Sequence, residues 1–153
     1  MEAVLVEAAA RRLIAEREQA LLFRGPTWNY LGLDCEIPRA GDYKLNFVGE
    51  TPVILCRDEN GEINALLNRC AHKGSLVCYK PRGHVRELTC VYHNWVYDLD
   101  GSLCAARHLP ESIDRNAFGL HPVAVRVVAG LFFICLADES PNFDHTAADV
   151  AEF

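Results

Sequence analysis

The sequence predicts a mainly β domain of small stacked antiparallel sheets with a helical segment at its N-terminus, and three observations carry that prediction. After Trp28 the chain becomes a succession of short apolar, β-branched and aromatic runs separated by turn formers. Asn60-Gly61, Asp100-Gly101 and Ala129-Gly130 each fall between two such runs, and Asn, Asp and Gly tolerate the positive φ that tight hairpins need. Before Arg24, by contrast, Ala, Glu, Arg and Leu dominate, residues of high helix propensity.

In chain order, Leu5, Ala8, Arg12 and Ala15 recur at loosely helical spacing, so Met1 to about Arg24 reads as one or two helices. Gly25-Pro26 ends them, because Gly suits a C-terminal cap and Pro cannot continue a helix. Strands are expected at Asn29 to Leu33, Tyr43 to Val48, Val53 to Arg57 and Ile63 to Asn68. Further strands are expected at Leu88 to Cys90, Trp95 to Leu99, Ser102 to Ala105, Val123 to Val128 and Leu131 to Leu136. The chain divides into a helical segment over residues 1–26, a β domain over 27–140 and a tail over 141–153, with no internal repeat or low-complexity linker.

A chain of 153 residues buries about 68–70% of the surface its unfolded form exposes, so it needs no disulfides to hold a core. Its formal charge of −6 opposes binding to polyanions, which argues against nucleic acid as a partner. The longest uncharged apolar run, Val127 to Ala137, is well short of the roughly 20 residues of a membrane-spanning helix. Glu2 and Glu7 precede Arg11 and Arg12, the reverse of a secretory signal, so a cytoplasmic location is expected. In a reducing compartment, seven cysteines are explained by core packing or metal ligation rather than by disulfides.

Two segments bear chemistry: Cys70-Ala71-His72-Lys73-Gly74-Ser75 and, after an intervening stretch, Cys90-Val91-Tyr92-His93. Each offers one thiolate and one imidazole. In an extended segment, residues two apart project to the same side, so Cys70 and His72 can reach neighbouring metal atoms. Cys90 and His93 need a turn to converge, and the Val-Tyr insert permits one. Two Cys and two His would also satisfy a tetrahedral zinc ion. Structural zinc sites, however, usually pair Cys with Cys and His with His along the chain, whereas here the types alternate. The alternation suits a two-iron cluster with both thiolates on one iron and both imidazoles on the other.

On these residues the sequence resembles the Rieske [2Fe-2S] family, whose motif is Cys-x-His, a spacer, then Cys-x-x-His. The resemblance implies a Rieske-type fold with two cluster-binding hairpin loops. Cys70 and Cys90 would bind the inner iron, and His72 and His93 the outer one, at a potential that depends on pH. Ser75 and Tyr92 stand where respiratory members carry a disulfide, so the likeness is to the ferredoxins and oxygenase large subunits. Gly41-Asp42-Tyr43, Asn68-Arg69-Cys70-Ala71-His72, Tyr92 to Gly101 and Ala129 to Ala137 resemble the N-terminal part of a Rieske non-heme iron oxygenase α subunit. Ala106-Arg107 and Gly119 to Val123 look most like the subgroup acting on glycine betaine and related quaternary ammonium compounds, while aromatic-ring dioxygenases share most of the rest.

The resemblance implies one-electron transfer from a reductase or ferredoxin to a mononuclear Fe(II) in a catalytic domain that activates O2, within a homotrimer of α subunits. Of the histidines after His93, His108, His121 and His145 show no facial-triad spacing, so this chain is expected to move electrons without oxygenating a substrate itself. The alternative is a stand-alone Rieske ferredoxin. Cys56 and Cys135 lie in apolar runs and read as core, Cys35, Cys78 and Cys104 receive no ligand role, and His84 reads as part of a solvated turn. Trp95 is expected to pack beneath the second loop and keep water from the inner iron, and Arg69 and Lys73 to be solvated or to form a positive rim for an acidic donor. Gly74 would let backbone N–H groups approach the bridging sulfides.

Overall fold

The computed structural model describes residues 2–110 and 112–152. Helix α1 spans Glu2–Glu18 and runs into a single π-helical turn at Gln19–Phe23, one residue ahead of Arg24-Gly25-Pro26. Val6, Leu13, Ile14, Leu21 and Leu22 stay exposed on this segment. The Gln19 side chain ties the end of the helix to the body by accepting the Glu50 backbone N–H at 3.0 Å.

Ten strands follow. β1 (Asn29–Leu33), β2 (Asp42–Val48), β3 (Thr51–Arg57), β4 (Ile63–Leu67), β5 (Arg82–His84), β9 (Pro122–Val128) and β10 (Leu131–Cys135) form a seven-stranded sheet in the order β1-β10-β9-β4-β3-β2-β5. β6 (Leu88–Thr89), β7 (Val96–Tyr97) and β8 (Leu103–Ala105) form a second sheet of three strands. All pairings within both sheets are antiparallel. The large sheet curls so that its edge strand β1 meets β2, where Asn46 Nδ2 donates to Leu31 O at 2.6 Å. The tight turns fall where the sequence puts them, with positive φ at Gly61, Gly101, Ala129 and Gly130.

β3 shows why its sequence is an unbroken apolar run. Successive strand side chains point to opposite faces. Val53 and Leu55 therefore enter a core inside the curled sheet, with Leu31, Ile37, Phe132 and Ile134. Ile54 and Cys56 enter a second core beneath the small sheet, with Leu66, Cys70, Cys90, Trp95, Tyr97 and Leu99. Both faces are dry, so alternation gives way to continuous hydrophobicity. This second core is the floor on which the candidate site stands.

Two elements lie outside the expected pattern. Arg82–His84 is not a free turn but strand β5, whose Gly83 sits against the Tyr43 ring: a Cβ there would come within 2.6 Å of Tyr43 Cε1. His84 is correspondingly engaged, its Nδ1 lying 2.9 Å from Asp42 Oδ1. The tail contains helix α2 (Asp144–Ala151), and the residues before it fold back onto the start of the β domain. Trp28 Nε1 donates to Pro141 O at 3.0 Å, and the Trp28 and Phe143 rings meet edge to face at 4.9 Å.

Asp42 provides a pH test of this packing. Hydrogen bonding to His84, aided by the Arg39 backbone N–H and opposed by burial, holds its carboxyl below the ordinary 3.8. A depressed folded-state pKa gives stability that is complete above the unfolded value and is lost as pH falls through the folded one. The urea midpoint of the wild type is expected to drop below about pH 4, and Asp42→Asn to flatten that part of the profile.

Candidate metal centre

Two turns of one construction carry the four predicted donors. In the first, the Cys70 N–H donates to Ser75 O and the Gly74 N–H to Cys70 O, both at 2.8 Å. In the second, the Cys90 N–H donates to Trp95 O at 2.8 Å and the Asn94 N–H to Cys90 O at 2.9 Å. The fifth residue of each turn has positive φ, 70° at Gly74 and 57° at Asn94, a region open to Gly and tolerated by Asn. The first segment is thus a turn, not the extended stretch its Cys-x-His spacing suggested. A Cβ on Gly74 would meet nothing within 4 Å, so the need for glycine there is conformational rather than steric. The second turn closes the β6–β7 hairpin, while the first leaves β4 and leads toward β5.

The turns face each other. His72 Nδ1 and His93 Nδ1 lie 3.1 Å apart, with ring centroids at 4.4 Å and planes crossing at 74°. Cys70 and Cys90 are 3% and 1% exposed, and their thiols are close enough for Cys90 to raise the pKa of Cys70. Among the described residues, no three His, Cys, Asp or Glu side chains gather as around one ion. The donors come instead as a thiol pair and an imidazole pair, the division a two-iron cluster requires and a tetrahedral ion does not.

Protonation follows from burial. Desolvation pushes the Cys70 thiol up, against a hydrogen bond from Tyr97 that lowers it. Desolvation, then the like charges of His93 and Lys73, push the His72 imidazole down. His72 is therefore neutral at neutral pH, the form that ligates metal. Trp95 is buried and its indole N–H has no acceptor among the described residues. An unpartnered polar atom on a ring stacked against His72 fits a group that the protein atoms do not themselves supply.

Sequence reasoning missed two supporting residues. Tyr97, fully buried, accepts the Ala71 backbone N–H at 3.1 Å and lies 3.1 Å from Cys70 Sγ. With its oxygen serving Ala71, its own proton is free for the sulfur. Asn68 is 1% exposed. Its Oδ1 accepts the Val77 and Cys78 N–H groups at 2.9 and 3.0 Å, and its Nδ2 donates to Cys78 O at 2.8 Å. It clamps the strap that follows the first turn. Asn68→Ala strands two buried N–H groups and is expected to destabilise the fold by about 3 kcal/mol, read from urea unfolding.

The remaining candidates are placed as follows. Trp95 is buried in the core that also holds Cys90 of its own loop, and its ring stacks on His72 of the first turn. Arg69 Nη1 donates to Gly74 O at 3.3 Å, bracing the first turn, while Lys73 is exposed. Cys56, Cys78 and Cys135 are buried, Cys35 and Cys104 are exposed, and burial pushes the Cys56 and Cys78 thiols up to about 12 and about 11. His108, His121 and His145 are exposed. A cavity of about 490 Å³ lined by Arg24, Pro52, Leu67, Arg69, His121 and Leu136 contains none of the four donors. No helix among the described residues is long and apolar enough to cross a membrane.

Residues 27–123 match the family described as the Rieske [2Fe-2S] domain. The chain is 41% identical over 149 residues to the anthranilate 1,2-dioxygenase large subunit of Burkholderia cepacia, covering 91% of this chain and 35% of the relative. It is 40% identical over 127 residues to the glycine betaine monooxygenase oxygenase subunit of Chromohalobacter salexigens, covering 82% and 28%. A solved structure of naphthalene 1,2-dioxygenase with indole in its active site superposes with a TM-score of 0.82 at 29% identity, covering 90% of this chain and 32% of that one. A quaternary ammonium Rieske monooxygenase superposes with a TM-score of 0.81 at 27% identity, covering 90% and 38%. The chain thus spans about a third of the length of these relatives.

Proposed function

Because the chain belongs to the Rieske [2Fe-2S] domain family, we propose that it is the electron-transfer domain of an oxygenase large subunit and that Cys70, His72, Cys90 and His93 hold its cluster. The observation that carries this reading is the convergence of the His72 and His93 Nδ1 atoms beside two buried, adjacent thiols. A [2Fe-2S] cluster so held supplies a centre that takes up and releases one electron at a time. The chain's own residues set the conditions. Cys70 and Cys90 hold the buried end out of water, and His72 and His93 hold the end nearer the surface. Neutral imidazoles leave less negative charge on the centre than four thiolates would, which favours the reduced state. Tyr97 donates its proton toward Cys70 Sγ and draws charge off that sulfur.

In this reading residues 27–140 are the cluster domain, 1–26 a helical segment and 141–153 a tail toward a catalytic domain bearing the mononuclear iron. The electron donor is a reductase or ferredoxin, the assembly a trimer of α subunits and the location cytoplasmic. The relatives are named as oxygenase subunits rather than free carriers, which favours this over the stand-alone ferredoxin. Aromatic and quaternary ammonium oxygenases match at nearly equal identity, so this stretch of fold serves both substrate classes. The test is an iron and acid-labile sulfide count with an electron paramagnetic resonance spectrum after reduction. Two irons and two sulfides per chain, with a paramagnetic signal that appears on reduction, are expected. A colourless protein, or one holding zinc, overturns the reading.

A further inference from the structure

Trp95 belongs to the second turn, yet its ring lies on the histidine of the first. The indole and the His72 imidazole are stacked, with centroids 4.8 Å apart and planes within 9°. Phe118 meets the indole edge to face at 5.9 Å, and the Trp95 backbone oxygen accepts the Cys90 N–H. The indole is therefore held at its backbone and at its ring, and at 3% exposure it has little freedom to rotate. Among the described residues, no buried ring stacks on His93. Its neighbour is Tyr92, tilted at 53° with centroids 4.2 Å apart, and Tyr92 is 65% exposed. One imidazole rests on a rigid buried surface and the other against a solvated side chain.

We propose that Trp95 is a positioning residue that fixes the ring plane of His72 across the two turns and so makes the two imidazoles inequivalent. The plane of a ligating imidazole governs how its nitrogen overlaps with the metal it binds, and side-chain contacts around a ligand set that orientation. His72 is accordingly the ligand of single, sharply defined orientation, and His93 the one that adjusts. The inference rests on the ligand assignment above, and its test separates the two.

Wild type, Trp95→Phe and Trp95→Leu are loaded with iron and sulfide, counted, reduced and compared by pulsed electron paramagnetic resonance with nitrogen-15 in histidine. The wild type is expected to give two resolved nitrogen couplings, one of them narrow. Trp95→Phe keeps an aromatic face and is expected to retain the narrow coupling, whereas Trp95→Leu, at full iron and sulfide content, loses it. Trp95→Leu with both couplings unchanged overturns the inference. A wild type that takes up no cluster overturns the ligand assignment instead. The stack is then read from the His72 ring protons by nuclear magnetic resonance. An indole ring-current shift that is absent in Trp95→Leu supports the positioning role, and no difference between the two overturns it.

Discussion

Replacing Cys70 or Cys90 by Ala is expected to remove the cluster entirely: iron and sulfide fall to background, the colour is lost and no signal appears on reduction. The expectation is severe because of what surrounds these thiols. Each iron of such a cluster has only two protein ligands, so one substitution halves the protein's hold on that metal. No exposed donor can swing in, since Cys70 and Cys90 lie in the core among Ile54, Leu66, Leu88 and Leu99. Metal binding also supplies folding free energy, and the two turns would be expected to loosen with the loss. The informative controls are Cys56→Ala and Cys78→Ala. Both thiols share that core with Cys70 and Cys90. Cys56 lies on β3 and Cys78 in the strap held by Asn68, both outside the two turns, and burial pushes their thiols up to about 12 and about 11. Both variants are expected to keep full iron content. Loss of the cluster in either control, or its retention in Cys90→Ala, contradicts the ligand set.

Tyr97→Phe is expected to leave the cluster in place and lower its midpoint potential. The Tyr97 hydroxyl, 3.1 Å from Cys70 Sγ, is oriented as donor by the Ala71 N–H that its oxygen accepts. A proton directed at a thiolate stabilises negative charge, and the reduced centre carries more of it, so the bond is stronger after reduction. A hydrogen bond to a charged group is worth about 1.5–3 kcal/mol. A difference of about 1 kcal/mol between the two redox states corresponds to a potential lower by roughly 40 mV for one electron. The Ala71 N–H, left without its acceptor, adds about 1 kcal/mol of lost stability that urea unfolding reads separately. A potential unchanged in Tyr97→Phe, measured by redox titration at constant pH, contradicts the assigned direction of the bond.

How much of this was visible in the chain depends on whether the cause was local. The nine expected strands all form, within one or two residues at most ends, because their apolar runs and turn dipeptides are local signals. The four candidate donors stood out by type and spacing, and the structure sets them as an imidazole pair and a thiol pair on two facing turns. β5 was not legible: Arg82-Gly83-His84 is short and polar, and is a strand only because Asp42 to Lys44 pair with it and Tyr43 covers Gly83. The first turn was misread as extended because a two-residue spacing serves both conformations, and the decisive positive φ at Gly74 is a property of the folded chain. Asn68, Tyr97 and the Trp95 stack escaped for the same reason. Each acts on a partner brought near by the sheets, and side-chain type alone does not name that partner.

The order of strands separates two scales of assembly. The sheet is completed by β1 against β10, Asn29 opposite Ile134, so its last seam joins segments from opposite ends of the described chain. Such distant pairings form slowly, since a long loop must close before any contact compensates for it. The donors, in contrast, lie between Cys70 and His93, and one of their turns closes a local hairpin. A nascent polypeptide would thus form the β6–β7 hairpin, with the candidate ligands Cys90 and His93, well before the surrounding shell could seal, leaving an interval during synthesis in which iron and sulfide would have an open path to the interior.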